Sequence, residues 1–183
     1  MNEPGPITML LRLSREGDAA AMGRAFALTY AELKQLARRA LRRGQPTLDT
    51  TALVHECYVR LMSGDADARD SGHFMALAAR AMRQIVCDHA RRRLARKRGS
   101  GDVAIELAPE HLATYDEASK LVELDDLLER LAKSSVREAR VVECRVFGGM
   151  SVAETAAALC VSDRTVELDW QHARAWLLAQ QHQ

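Results

Sequence analysis

Residues 150–177 read MSVAETAAALCVSDRTVELDWQHARAWL. Ser151 and Glu154 stand at the spacing of a capping box, in which the serine side chain and the glutamate side chain each accept an N–H of the other residue. Ala156, Ala157 and Leu159 allow close helix packing, and Ser162 can cap a second helix three residues after the first one ends. Two helices so spaced make a helix-turn-helix, whose second helix offers its first residues to a DNA major groove. Here those residues are Ser162, Asp163, Arg164, Thr165, Glu167 and Leu168. Arg164 can meet a phosphate, Thr165 a phosphate or a thymine methyl, and Glu167 can accept from a cytosine amino group. Val166, Trp170, Ala173 and Leu177 should face the core. An ordinary helical hairpin can carry the same spacing, so the rest of the chain has to support the DNA reading.

The rest is helical by pattern. Of 183 residues 48% are hydrophobic but only 4% aromatic, so cores must be built from Leu, Val, Ala and Met, which favour helices over sheets. Residues 7–16 suit a short helix. Asp18 can cap a longer one with Met22, Phe26, Tyr30, Leu33, Ala37 and Leu41 on one face, ending at the turn RRGQP. Asp49 or Thr50 can cap a helix from about 50 to Met62, with Leu53, Val54, Cys57 and Leu61 at helical spacing. A long helix follows over about 72–97, with Phe74, Leu77, Ala81, Ile85 and Val86 as its buried stripe. Residues 98–118 read as a linker in which VAIEL is extended and Pro109 interrupts any helix. Beyond it Leu121, Leu124, Leu128 and Leu131 line one face of a helix whose other face carries Glu123, Asp125, Asp126 and Glu129. A helix over about 135–147 stops at Gly148-Gly149. The expected architecture is all-α: a helical domain over 1–98, a flexible linker over 99–118, and a helix-turn-helix domain over 119–183.

Charge divides the chain at the same place. Residues 1–98 hold 18 Lys and Arg against 10 Asp and Glu, whereas residues 99–183 hold 8 against 15. A basic and an acidic module with different partners are expected. The positive charge concentrates in GHFMALAARAMRQIVCDHARRRLARKR, whose last two turns carry Arg91, Arg92, Arg93, Arg96, Lys97 and Arg98. Cations suit a helix C-terminus and make a ready phosphate-binding surface. No apolar run reaches membrane-spanning length and the N-terminus has no leader pattern, so a cytoplasmic protein is expected. Four scattered cysteines without a CxxC argue against disulfides and zinc ribbons. The histidines form no HExxH, and no phosphate loop or nucleophile elbow occurs, so no enzyme, metal or cofactor is expected.

These segments resemble, in order and over nearly the whole chain, the sigma-70 family of bacterial RNA polymerase initiation factors in its extracytoplasmic-function (ECF) form. LVHECYVRL is similar to the helix that grips the polymerase clamp. FMALAARAMRQIVCDHARRRLARKR is similar to the promoter-melting helix, and LAKSSVREARVVECRVFGGMSVAETAAALCVSDRTVELDWQHARAWL to the domain that reads the upstream promoter element. The resemblance implies core RNA polymerase and promoter DNA as partners, with all chemistry left to the polymerase. Carried over by position, Arg80, Arg83, Gln84, Asp88, His89 and Arg92 would contact the minus-ten region, with Arg91, Arg93 and Arg96 of the basic run beside them. Arg164, Thr165, Glu167 and Gln171 would lie at the minus-thirty-five element, Ser162 at the start of that helix. Asp49, Thr50, Thr51, Leu53, Val54, Glu56, Tyr58 and Leu61 fall on the clamp-binding helix, some as contacts and some as core.

Two departures from the family stand out. The recognition helix carries Leu168, Gln171 and His172 where relatives often carry more base, in an acidic domain. And where family members place an acidic motif before Leu-Val, this chain has Asp49, Thr50, Thr51 and Ala52. A phosphothreonine would add about −1.5 to −2 charges at a helix N-terminus. The expectation is that a Ser/Thr kinase modifies Thr51, or as second choice Thr50, and so licenses polymerase binding; capping alone is the simpler use of both hydroxyls. Control must otherwise come from a separate partner such as an anti-sigma factor. Two other classes share these features: a helix-turn-helix regulator acting without polymerase, and a polymerase-binding adaptor that has lost promoter reading.

Overall fold

The computed structural model describes residues 5–18, 20–41, 48–63, 68–99 and 109–180, and every regular element among them is helical. In order they are α1 (Pro6–Arg15), α2 (Ala21–Leu28), α3 (Tyr30–Leu41), α4 (Thr50–Ser63), α5 (Ser71–Gly99), α6 (Pro109–Ser134), α7 (Val136–Val142), a π turn (Glu143–Phe147), α8 (Val152–Leu159) and α9 (Asp163–Gln180). The all-α expectation holds. The RRGQP turn and the VAIEL segment lie outside the described residues.

Helix α5 is the axis. Phe74, Ala78, Met82, Ile85, Val86, Cys87, Ala90 and Leu94 are all buried, leaving little of its circumference exposed, as befits a helix enclosed by neighbours. Helices α3, α4, α6 and α8 and the π turn pack on it. Small residues set the approach: a Cβ on Gly72 would lie 3.4 Å from the Ala158 Cα of α8. Phe26 of α2 meets Tyr58 of α4 and Phe74 of α5 edge-on, with ring centroids 4.9 and 6.0 Å away. One continuous core runs from Leu11 and Leu53 through α5 to Leu121, Leu128, Phe147 and Ala173, so the basic and acidic halves share it.

Three sequence expectations change. The single helix from Asp18 to Leu41 is two, α2 and α3, because the Thr29 hydroxyl turns back on the Ala25 carbonyl at 2.9 Å, a bond that bends helices. Tyr30 is thereby rotated out of the apolar stripe and is 37% exposed. Pro109 does not interrupt a helix but begins α6. Proline is favoured at a first helical position, where its missing N–H has no partner to lose. Residues 109–118, read as linker, are therefore helical, and Ala118 is already buried. Third, Asp125 leaves the exposed acidic face: it is 2% exposed, four residues after Leu121 and three before Leu128, on the side that packs against α5.

Candidate nucleic-acid interface

The cationic groups of α5 divide into two stripes. Arg80, Gln84, Asp88 and Arg92 recur every four residues, and Arg80, Arg92 and Arg96 are exposed. Asp88 takes Arg60 of α4 at 3.0 Å, and the Arg92 Nε–H donates to the Asp88 carbonyl at 3.2 Å. His89 Nε2 lies 3.2 Å from Glu56 Oε2, again tying α5 to α4. Arg93 is partly enclosed, with its Nη1 buried and unpartnered. The side chains of Lys97 and Arg98 lie outside the described residues.

Arg83 and Arg91, two helical turns apart, form the second stripe and face α6. Arg83 is 4% exposed; its guanidinium pairs with Asp125 and, at 3.0 Å, with Glu143 of the π turn. Arg91 reaches the same Asp125 at 2.8 Å and Asp126 at 2.7 Å. Burial pushes the Glu143 carboxyl above its usual range against the pull of Arg83, Arg80 and Arg140. So of the residues expected at minus-ten DNA, Arg83 and Arg91 are occupied by carboxylates of the acidic half in this arrangement, while Arg80, Gln84, Arg92 and Arg96 remain accessible. Asp125 and Glu143 were not foreseen. For Asp125 the Leu121–Leu128 spacing held the signal; for Glu143 none existed, because a π turn shifts the register that places it.

The turn into the helix-turn-helix depends on two glycines. At Gly148 a Cβ would meet the Cys144 carbonyl oxygen at 2.5 Å. Gly149 has φ +62, and Arg39 of α3 lies over it, donating to the Gly148 carbonyl at 3.0 Å. The capping box forms as read: the Ser151 N–H donates to Glu154 Oε2 at 2.7 Å and the Glu154 N–H to Ser151 Oγ at 3.2 Å. The first of these bonds holds the Glu154 carboxyl below its usual range. Helix α8 ends on Cys160 in the left-handed region, φ 54 and ψ 47. Ser162 then caps α9, its Oγ accepting the Thr165 N–H at 3.1 Å.

On α9, Ser162, Arg164, Glu167 and Gln171 are exposed and Thr165 is half-buried, its hydroxyl sharing a 2.8 Å hydrogen bond with Ser162. Arg164 and Glu167 lie 3.6 Å apart, so each partly occupies the other. Val166 and Ala173 are buried, with Trp170 and Leu177 at the core's edge. The helix is oriented by a pair the sequence reading missed: Arg137 of α7 grips Asp169 through two bonds of 2.6 and 3.0 Å.

On α4, Leu53, Val54 and Leu61 are core residues, Tyr58 meets Phe26 edge-on, and Glu56 is engaged by His89. The Asp49 carbonyl accepts the Leu53 N–H at 2.9 Å, so the helix begins where read, with Asp49 exposed and Thr50 and Thr51 partly exposed. The outward face is instead Ala52, His55, Val59 and Met62. Val59 is 62% and Met62 42% exposed, two apolar side chains on the outward face of the helix.

Among the described residues no helix is long and apolar enough to cross a membrane, and no group of His, Cys, Asp or Glu could hold a metal ion. No curated protein matches the sequence. Among solved structures the chain is similar to CnrH in its complex with the cytosolic domain of CnrY, with 20% identity, 97% of this chain and 98% of that chain covered, and a TM-score of 0.41. A profile of the family described as ECF sigma factor matches residues 4–183, nearly the whole chain. This chain belongs to the ECF sigma factor family, whose members bind core RNA polymerase and promoter DNA and act in transcription initiation.

Proposed function

We propose that this protein directs core RNA polymerase to its promoters through two separate DNA-reading surfaces, α5 at the minus-ten element and α9 at the minus-thirty-five element. The observation that carries this is the row of exposed Arg80, Arg92 and Arg96 with the half-buried Gln84 on a single helix: cations that can track a backbone, with an amide able to reach an unstacked base between them. Asp88 and His89 sit on the same helix but are engaged by Arg60 and Glu56, so their role is to hold α5 against α4. Arg164, Thr165, Glu167 and Gln171 supply the upstream contacts. The polymerase takes the outer face of α4, with Val59 and Met62 as apolar anchors beside Asp49, Thr50 and Thr51. Reconstituted transcription from a cognate promoter tests the reading. Arg80→Ala combined with Arg92→Ala should lower promoter-directed transcript by tenfold or more, about 1.4 kcal/mol, without loss of polymerase binding. Equal transcription by the variant would overturn the α5 assignment.

Thr51, with Thr50 behind it, is the site through which a Ser/Thr kinase raises polymerase affinity. What supports this is position: both threonines are accessible in the first turn of α4, where two added phosphate charges meet a favourable helix end. Kinase-treated protein should out-transcribe untreated protein, and Thr51→Ala should abolish the difference. An equal response in the Thr51→Ala and Thr50→Ala double variant would dismiss the switch.

A further inference from the structure

We propose that the cleft between α3, the start of α5 and the Gly148–Met150 turn binds a short apolar peptide of two or three residues whose amino and carboxyl termini are both free. Such binding involves neither DNA nor polymerase and is separate from the promoter reading.

The cleft holds about 430 Å³, within the range of about 300–1,000 Å³ usual for small-molecule sites, and it lies where two parts of the chain meet, as such sites often do. Helix α3 builds its long wall with Glu32, Gln35, Leu36 and Arg39, whose spacings of three, four and seven residues put them on one face. Along that face the order is carboxylate, apolar side chain, guanidinium. Leu36 and Met150 are buried and Met75 of α5 is half-buried, so the middle of the cleft is apolar. Methionines adapt their shape to varied apolar side chains. The facing walls carry Gly72 of α5 and Ala157 of α8, which leave the space open.

The polar groups of the cleft have bonds left to make. Among the described residues no hydrogen bond or ion pair engages the side chains of Glu32, Gln35 or Ser71. Arg39 gives only Nη1 to the Gly148 and Gly149 carbonyls, at 3.0 and 3.5 Å. Its Nε and Nη2 form the remaining edge of the guanidinium, the fork that takes a carboxylate through two parallel bonds. Glu154, the other acid of the cleft, is engaged: its Oε2 accepts the Ser151 N–H at 2.7 Å. Glu32 with Gln35 thus suits an ammonium, and Arg39 a carboxylate. Seven residues of α-helix separate these ends by about 10 Å. A free amino acid carries both charges on one carbon and is too short to reach both. Two or three extended residues, at about 3.3–3.6 Å each, match the span and lay their side chains over Leu36, Met75 and Met150.

Calorimetric titration of the full-length protein with the tripeptide Ala-Leu-Ala tests this. Saturable binding at a single site is expected, and N-acetylation or C-terminal amidation of the peptide should each weaken it by about tenfold or more. Glu32→Gln should erase the preference for the free over the acetylated peptide and keep the preference over the amide. Glu32 is exposed and unpaired among the described residues, so its replacement leaves the fold alone. Ala157→Phe fills the cleft from an exposed position of α8 without altering a polar group, and should abolish binding. No saturable binding of the free tripeptide overturns the proposal, as does equal binding of the acetylated one. A linear diamine that binds more tightly than the peptide also overturns it, because the cleft would then be a site for amines alone. Binding that survives both substitutions lies elsewhere on the molecule and removes the cleft from consideration.

Discussion

Gly149 joins two constraints in one residue. Its φ of +62 is a conformation that costs an L side chain about 1–2 kcal/mol, and a Cβ there would sit 2.9 Å from Arg39 Cδ and 2.8 Å from Arg39 Nη1. Gly149→Ala should lower stability by about 1–2 kcal/mol in urea titration. In an Arg39→Ala background the steric share disappears and only the backbone share remains, so the two costs should fall short of additive by about 0.5 kcal/mol. Strict additivity would mean that Arg39 moves aside freely. Asp169 shows the opposite case, a residue whose partner defines it. It is buried on α9 and held bidentately by Arg137. Asp169→Asn should cost about 1–3 kcal/mol, read by thermal unfolding, and loosen the recognition helix while leaving Arg164 and Gln171 intact.

At the scale of the element, the capping box of α8 makes a pH prediction. Glu154 accepts the Ser151 N–H, and its carboxyl is held below the ordinary glutamate value by that bond first and by the Ser151 side chain second. A lowered folded-state pKa means the ionised form is favoured on folding. The contribution is thus present above the ordinary glutamate value and lost as pH falls through the lowered one. Glu154→Gln should therefore be less stable than wild type near neutrality, and the gap should close in acid; a gap that is constant with pH would remove the linkage. Ser151→Ala should cost about 1 kcal/mol near neutrality, and less in acid, because the Ser151 side chain also helps to lower the Glu154 carboxyl. Elements like α8 and α9 were legible because everything that makes them lies within a few residues: Ser151, Glu154 and Ser162 behave as their spacing says. The kink at Thr29 was not, because threonine is compatible with a continuous helix until its hydroxyl finds the Ala25 carbonyl. The start of α6 was misread because Pro109 breaks a helix interior yet favours a first turn, and only the chain before it distinguishes the two. On α4 the periodicity found the core residues Leu53, Val54 and Leu61 but could not show that Val59 and Met62, equally apolar, are the ones left outside.

For the whole molecule, the charge asymmetry was plain in the sequence, but its use was not: local pattern cannot say that Arg83 and Asp125, 42 residues apart, are neighbours. That pairing has a consequence for unfolding. The two halves share one core, so far-UV circular dichroism, which reports every helix, and tryptophan fluorescence should give coincident urea transitions. Trp170 and Trp176 both lie on α9, so fluorescence reports the acidic half alone. Removing one carboxylate from the Arg83–Asp125–Glu143–Arg91 cluster leaves two arginines facing one fewer buried acid, at a cost of about 3–5 kcal/mol if the arrangement cannot relax. That cost falls on the contact between halves, not within either. In Asp125→Asn the fluorescence midpoint should therefore drop further than the dichroism midpoint, the acidic half coming away first while α2 to α5 persist. If both probes shift together instead, the apolar core from Leu53 to Ala173 is what makes the halves one cooperative unit, and the ion cluster only sets their register.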